Sequence, residues 1–117
     1  MPLVSVIMSV FNGEKTLVKS VESILNQSFQ DFEFIIIDDG SNDQTSQILK
    51  SYNDKRLVII SQENQGLTKS LNIAIKHSSG KFLARQDVDD YSFPERLEKQ
   101  INIFNNNQKL NLVGTRA

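Results

Sequence analysis

The apolar residues of the chain follow two alternating periods. Val4–Val10 (VSVIMSV) is a short β-branched run and predicts a strand. Leu17, Val18, Val21, Ile24 and Leu25 then recur at helical spacing, predicting a helix over about 14–26. The run 32–37 (FEFIII) has no polar alternation after Glu33, the mark of a parallel strand buried on both faces. Ser41 and Gln44 form a candidate capping box for a helix whose inner face is Thr45, Ile48, Leu49 and Tyr52. A third strand is predicted at 57–60 (LVII). The next helix carries Leu67, Leu71, Ala74 and Ile75 and is stopped by Gly80. A short fourth strand follows at 82–85. Ser92 and Glu95 make a second capping box, with Pro94 in the first turn, leading to Leu97, Ile101 and Phe104. The polar run 105–107 reads as a turn, and 110–113 as a fifth strand.

Strands alternating with helices imply right-handed crossovers and a doubly wound, mainly parallel sheet with helices on both faces. The 117 residues make a single domain over 1–117. A chain of that length buries a core without disulfide or metal staples. The last predicted strand, left uncovered before Ala117, is an unusual place for a domain to finish, so truncation at the C-terminus is expected. With the first strand beginning near Met1, no signal peptide is expected. No apolar run approaches the roughly 20 residues of a membrane span. The expected location is therefore cytoplasmic, with the inner face of the membrane as the alternative for a full-length protein. With no Cys, thiol chemistry and thiolate metal sites are excluded. The net charge of -1 supplies no basic field for nucleic acid, so any polyanion must be held locally.

In open parallel sheets, ligands bind outside the carboxyl ends of the strands. The first strand is followed by Phe11-Asn12-Gly13-Glu14, the second by Asp38-Asp39-Gly40-Ser41, and the fourth by Asp87-Val88-Asp89-Asp90. Two carboxylates about 5 Å apart repel by roughly 3 kcal/mol at an effective dielectric near 20. One acidic pair alone reads as a turn or a helix start, where Asp is at home. Two clusters on one edge read as a site holding something positive. Carboxylates with only His77 beside them are hard oxygen ligands, suited to Mg²⁺ or Mn²⁺ and through the ion to phosphates. A P-loop and a G-x-G-x-x-G turn are both absent, Gly13 standing alone after the first strand. Asp38 could still hold a ribose or a base edge, as acidic residues do at that strand end.

The segments VSVIMSVFNGE, SILNQSFQDFEFIIIDDGSNDQT, ENQGLTKSLNIAI and GKFLARQDVDDYSFPERLEKQ resemble, in the right order, the N-terminal part of a family 2 glycosyltransferase. That resemblance covers nearly the whole chain and implies the nucleotide-binding half of a GT-A fold in an inverting enzyme. It implies that Val10, Phe11, Asn12 and Glu14 lie against the nucleotide and that Asp38 or Asp39 hydrogen-bonds the base. Asp87, Val88 and Asp89 would occupy the family's Asp-x-Asp, with Asp89 the metal ligand and Asp87 nearer the ribose. Where the family often shows Ala-Arg-Asn, this chain reads Ser70-Leu71-Asn72, so the Arg contact does not carry over. Lys69 is the substitute cation for phosphate, a solvated helix lysine being the bland alternative.

The implied cofactor is Mn²⁺ or Mg²⁺, which would neutralise charge growing on a diphosphate leaving group. The implied partners are a nucleoside diphosphate sugar, UDP-sugar first, and a glycan or lipid-linked acceptor, in a polysaccharide-building reaction. An acceptor hydroxyl would attack with help from a carboxylate base. No Asp or Glu follows Glu98, so that base is expected beyond Ala117 and no catalytic residue is assigned. The exposed last strand would also suit a homodimer. Two other classes share a Mg²⁺-binding acidic edge. A signalling receiver module would need its acidic pair where Phe11 and Asn12 stand, and a nucleotidyltransferase would need a Gly-rich phosphate loop where only Lys15 offers support.

Overall fold

The computed structural model describes residues 2–106. Four strands, β1 (Val4–Val10), β2 (Phe32–Asp39), β3 (Leu57–Gln62) and β4 (Phe82–Arg85), alternate with α1 (Leu17–Leu25), α2 (Thr45–Lys50), α3 (Leu67–His77) and α4 (Arg96–Asn106). All pairings are parallel, in the order β3-β2-β1-β4. The chain thus steps outward from β1 through β2 to β3, then returns to lay β4 on the other side of β1. That reversal is a topological switch point, and it opens a crevice outside the carboxyl ends of β1 and β4. The expected α/β architecture is the one observed. The strand expected at 110–113 and the chain end lie outside the described residues.

The β2 sequence explains its central place. Phe34, Ile35, Ile36 and Ile37 are all fully buried, each contributing about 1.5–3 kcal/mol through burial. Alternation sends Phe34 and Ile36 into the larger core layer, against Leu17, Val21 and Ile24 of α1, Leu49 of α2, and Leu97 and Ile101 of α4. Ile35 and Ile37 face the opposite layer, which α3 covers with Ala74, Leu71 and Ile73. Helices therefore lie on both faces, three on one and one on the other.

Several boundaries differ from the periodicity. β2 runs on through both aspartates, because Asp38 pairs with Val10 on one side and Asp38 and Asp39 pair with Ser61 and Gln62 on the other. α1 begins at Leu17, three residues later than expected, after a turn in which the Gly13 carbonyl accepts from the Thr16 and Leu17 amides. α4 continues through residues 105 and 106 of the expected polar turn. Neither capping box forms as read. α2 starts at Thr45 with no side-chain cap from its N-cap Gln44. The hydroxyls of Ser41 and Ser92 are used elsewhere, at the switch point.

Candidate functional site

The loop after β1 is laced to the loop after β2. Asn12 sits in the left-handed region (φ 52°), which asparagine tolerates. Its amide donates to Ser41 Oγ at 2.9 Å, and its Oδ1 accepts from the Asn42 amide at 2.7 Å. The Gly13 amide donates to Thr45 Oγ1 at 3.0 Å, and the Glu14 amide to Asp43 Oδ2 at 3.2 Å. Glu14 Oε2 in turn accepts from the Gln44 amide at 3.1 Å. These bonds show why α1 starts late: residues 12–14 cross to the start of α2. They also give Asn12 and Glu14 a structural task. Phe11 is left 48% exposed at the rim.

Asp38 and Asp39 leave β2 on opposite sides of the sheet. Asp38 accepts from the Ser41 amide at 3.2 Å, closing the turn that Gly40 makes at φ 78°. Asp39 takes hold of the β3–α3 turn. Its Oδ1 accepts from the Gln65 amide at 2.8 Å and Gln62 Nε2 at 2.9 Å, and its Oδ2 from the Gly66 amide at 3.0 Å. Asn64 Nδ2 adds a longer contact to Oδ2 at 3.4 Å. Burial alone would raise the Asp39 carboxyl, but the bonds from Gln62, the Gln65 and Gly66 amides and Ser70 hold it below its ordinary value. Both carboxylates are nearly buried, at 4% and 3% exposure. A ligand reaching Asp39 would have to replace the Gln62 or Asn64 side chain, since the backbone donors are fixed.

The loop after β4 carries the third acidic group. One carboxylate oxygen each from Asp87, Asp89 and Asp90 lies within 4.8 Å of the others. Arg85 Nε donates to Asp87 Oδ1 at 2.9 Å, and both side chains stay about half exposed. Val88 points inward, packed on the main core beside Val10. A Cβ built on Gly13 would come within 2.7 Å of both Val10 Cγ2 and Val88 Cγ2, so the absence of a side chain lets the β1 and β4 loops meet.

Beneath the acidic loop lies a polar cluster that periodicity gave no reason to single out. Ser20 of α1 donates to the Asp87 carbonyl at 2.9 Å. Gln86, 1% exposed, donates through Nε2 to the Asp90 carbonyl at 3.0 Å and to Ser20 Oγ at 3.0 Å. Its Oε1 accepts from Ser92 Oγ at 2.7 Å and Arg96 Nη1 at 2.9 Å. Arg96 also reaches the Arg85 carbonyl at 2.8 Å. Burial pushes its guanidinium down, while Asp90 and Asp87 pull it back up. The signals were present as Gln86 directly before an acidic loop and Arg96 one turn into α4, but spacing alone did not tie them together.

The switch point thus joins Val10, Gly13 and Val88, with Phe11 exposed on the rim and three convergent carboxylates beside them. Asp90, not singled out from sequence, belongs with Asp87 and Asp89. Lys69 is exposed on α3 and makes no ion pair among the described residues. Three carboxylates at this spacing fit a hard divalent cation such as Mg²⁺ or Mn²⁺.

Fold and site together define an open α/β domain with three convergent carboxylates beside its switch point. The model of glycosyl transferase family 2 matches residues 5–117, and the chain belongs to that family. A Bacillus subtilis (strain 168) relative bearing the glycosyltransferase name EpsE is 45% identical over 118 residues, covering 97% of this chain and 42% of that protein. The chain therefore spans well under half of that relative. The solved structure of S. aureus TarS in complex with UDP-GlcNAc superposes with a TM-score of 0.84 at 33% identity, covering 90% of this chain and 32% of that one. The mannosyltransferase PcManGT from Pyrobaculum calidifontis, in complex with GDP-Man and Mn²⁺, shares the fold at 22% identity, with a TM-score of 0.81 over 88% of this chain and 32% of its own.

Proposed function

We propose that this chain is the donor-binding part of a glycosyltransferase that takes a nucleoside diphosphate sugar, UDP-linked, together with Mg²⁺ or Mn²⁺. The single observation that carries the reading is the convergence of Asp87, Asp89 and Asp90 within 4.8 Å beside β1, in a family 2 domain. TarS, one third identical over most of this chain, is a UDP-GlcNAc binder, which favours UDP as the nucleotide.

In this reading the base lies over the carboxyl end of β2, near Asp38 and Asp39, with the exposed Phe11 ring as a flat apolar partner. Asn12 and Glu14 shape the floor through the lacing described above, and Val10 through its packing in the main core. Asp89 ligates the cation, while Asp87 and Asp90 complete the carboxylate set or face the ribose. Val88 anchors the loop between them. The cation, when bound, neutralises charge on the departing diphosphate. Lys69, exposed in the first turn of α3 and in no ion pair among the described residues, is the proposed cation for a phosphate oxygen. The acceptor is a hydroxyl of a glycan or lipid-linked saccharide, and the reading assigns no catalytic base within residues 2–106.

Titration calorimetry with UDP, in Mn²⁺ and in chelator, tests the reading. Binding that requires the metal, and disappears in Asp89→Asn, is expected. Equal UDP binding with and without Mn²⁺, or none, refutes it.

A further inference from the structure

We infer that Gln86, Ser20 and Arg96 form a positioning unit that fixes the shape of the 87–90 loop, and that Arg96 does so through its forked donors rather than through charge alone. The inference rests on the cation-binding reading of that loop.

Three separate bonds reach the loop backbone or its flank, each from a different element. Ser20 holds the Asp87 carbonyl from α1 at 2.9 Å. Gln86 spans the loop from inside, holding the Asp90 carbonyl at 3.0 Å. Arg96 fixes the residue before Gln86 from α4, at the Arg85 carbonyl, 2.8 Å away. The three are tied to one another: Gln86 Nε2 donates to Ser20 Oγ, and Gln86 Oε1 accepts from Arg96 Nη1 at 2.9 Å. Ser92 closes the ring, donating to Gln86 and accepting from Arg96. The loop's own Asp90 amide bonds the Asp87 carbonyl at 3.0 Å, so this carbonyl, shared with Ser20, is the hinge of the turn.

Stability does not call for such a cluster. Apolar side chains of similar volume commonly serve a buried position as well as charged ones or better. Arg96 commits both terminal nitrogens to acceptors in or beside the loop, Nη1 to Gln86 Oε1 and Ser92 Oγ and Nη2 to the Arg85 carbonyl. What the cluster does achieve is directional. It points every bond at the backbone that sets where the Asp87, Asp89 and Asp90 side chains depart. A lysine at 96 would keep the charge but offers a single ammonium in place of a planar fork.

The test uses two charge-neutral changes, Gln86→Met and Arg96→Lys, with Arg56→Lys as a control. Arg56 makes a comparable fork, to Asp54 and the Leu25 carbonyl, at the opposite end of the sheet. Mn²⁺ affinity in the presence of UDP is read by electron paramagnetic resonance well below each variant's melting temperature. Both site variants should weaken Mn²⁺ binding about 10- to 100-fold, the usual effect of losing a partner behind the ligands, while Arg56→Lys does not. If either folded site variant binds Mn²⁺ as wild type does, the positioning unit is refuted. Loss of binding equal in all three variants reduces the cluster to general stability and refutes it as well. Should the two site variants fail to fold, Ser20→Ala, which deletes one hydroxyl at the hinge carbonyl, must weaken Mn²⁺ binding or the inference falls. A wild-type chain that takes up no Mn²⁺ with UDP defeats the cation reading itself, an outcome distinct from these.

Discussion

Gly13→Ala should strike stability and the acidic loop at once, and by a route the geometry specifies. Gly13 does not occupy the left-handed region, so its backbone accepts alanine and the effect is purely steric. The new methyl would lie 2.7 Å from Val10 Cγ2 and from Val88 Cγ2, where ordinary contact begins at 3.4 Å. Val10 is 1% exposed within the main core and cannot give. Val88 is only partly buried, so it moves, carrying the loop between Asp87 and Asp89. Overpacking of this kind costs about 1–3 kcal/mol, a loss of about 4–12 °C in Tm for a domain of this size. Mn²⁺ affinity in the presence of UDP should fall about tenfold, because the ligands lose their common aim. Thermal melts and calorimetry on Gly13→Ala, Val88→Ala and the double variant read both effects. Val88→Ala removes one of the two obstructing methyl pairs, so the two changes should couple by about 0.5–3 kcal/mol in the double-mutant cycle. If Gly13→Ala costs as much in the Val88→Ala background as in the wild-type chain, the contact is not the reason this glycine is needed.

Asp89→Asn changes an exposed loop carboxylate, so stability should shift by no more than about 0.5 kcal/mol, while nucleotide-dependent Mn²⁺ uptake is lost; chemical denaturation and calorimetry separate the two. Asp39→Asn keeps one acceptor oxygen but turns amide hydrogens toward either the Gln65 or the Gly66 amide, which bond different carboxylate oxygens, and should destabilise by about 1–3 kcal/mol, read by urea unfolding with increased exchange of the amide left without an acceptor. The Asp39, Glu33 and Asp54 carboxyls are all held below their ordinary values. Their stabilisation is therefore complete above the unfolded carboxylate pKa of about 4 and is lost progressively as pH falls below it; Asp39→Asn should flatten that acid limb. Burial, with Glu22 beside it, pushes the Tyr52 phenol up to about 12. Its folded protonated form contributes stability below the unfolded value of about 10, lost as pH rises from there to about 12, and Tyr52→Phe should remove that alkaline slope in melts across the range.

The parallel sheet, its helices and the sheet edge that carries the acidic groups were legible because each rests on a local signal. The triple isoleucine announced a strand covered on both faces, and Asp-rich segments followed two strands at the same end. What escaped reading depends on contacts between distant residues. Ser41 and Ser92 fit the pattern of helix caps, yet Asn12 and Gln86 compete for their hydroxyls from 29 and 6 residues away. Asp38 and Asp39 looked like turn residues and proved to be strand residues, since pairing with β3 extends β2 past its apolar run. Gln86 and Arg96 carried no period of their own; only folding brings α1 and α4 to either side of one loop. The Asp-x-Asp pattern drew the eye to Asp87 and Asp89 and away from Asp90, whose place in the cluster is set by the turn and not by spacing.

The centre of β2 is a homopolymer in miniature, three isoleucines followed by two aspartates, flanked by strands whose inward residues are interchangeable aliphatics. A slide of this strand by a single position would bring Asp38 into the buried place of Ile37 or push Ile37 out to that of Asp38, and would turn every side chain to the opposite face of the sheet. Misalignment is therefore penalised along the middle of the strand, and again at its two ends. At one end Phe34 must find its slot and Glu33 must meet Ser5 and the Ser79 amide. At the other, the residue under the Asn64 amide must be Gly40, because any side chain there would stand 2.6 Å from that nitrogen. Those three positions add fixed anchors to the register that the two buried faces of the strand already impose.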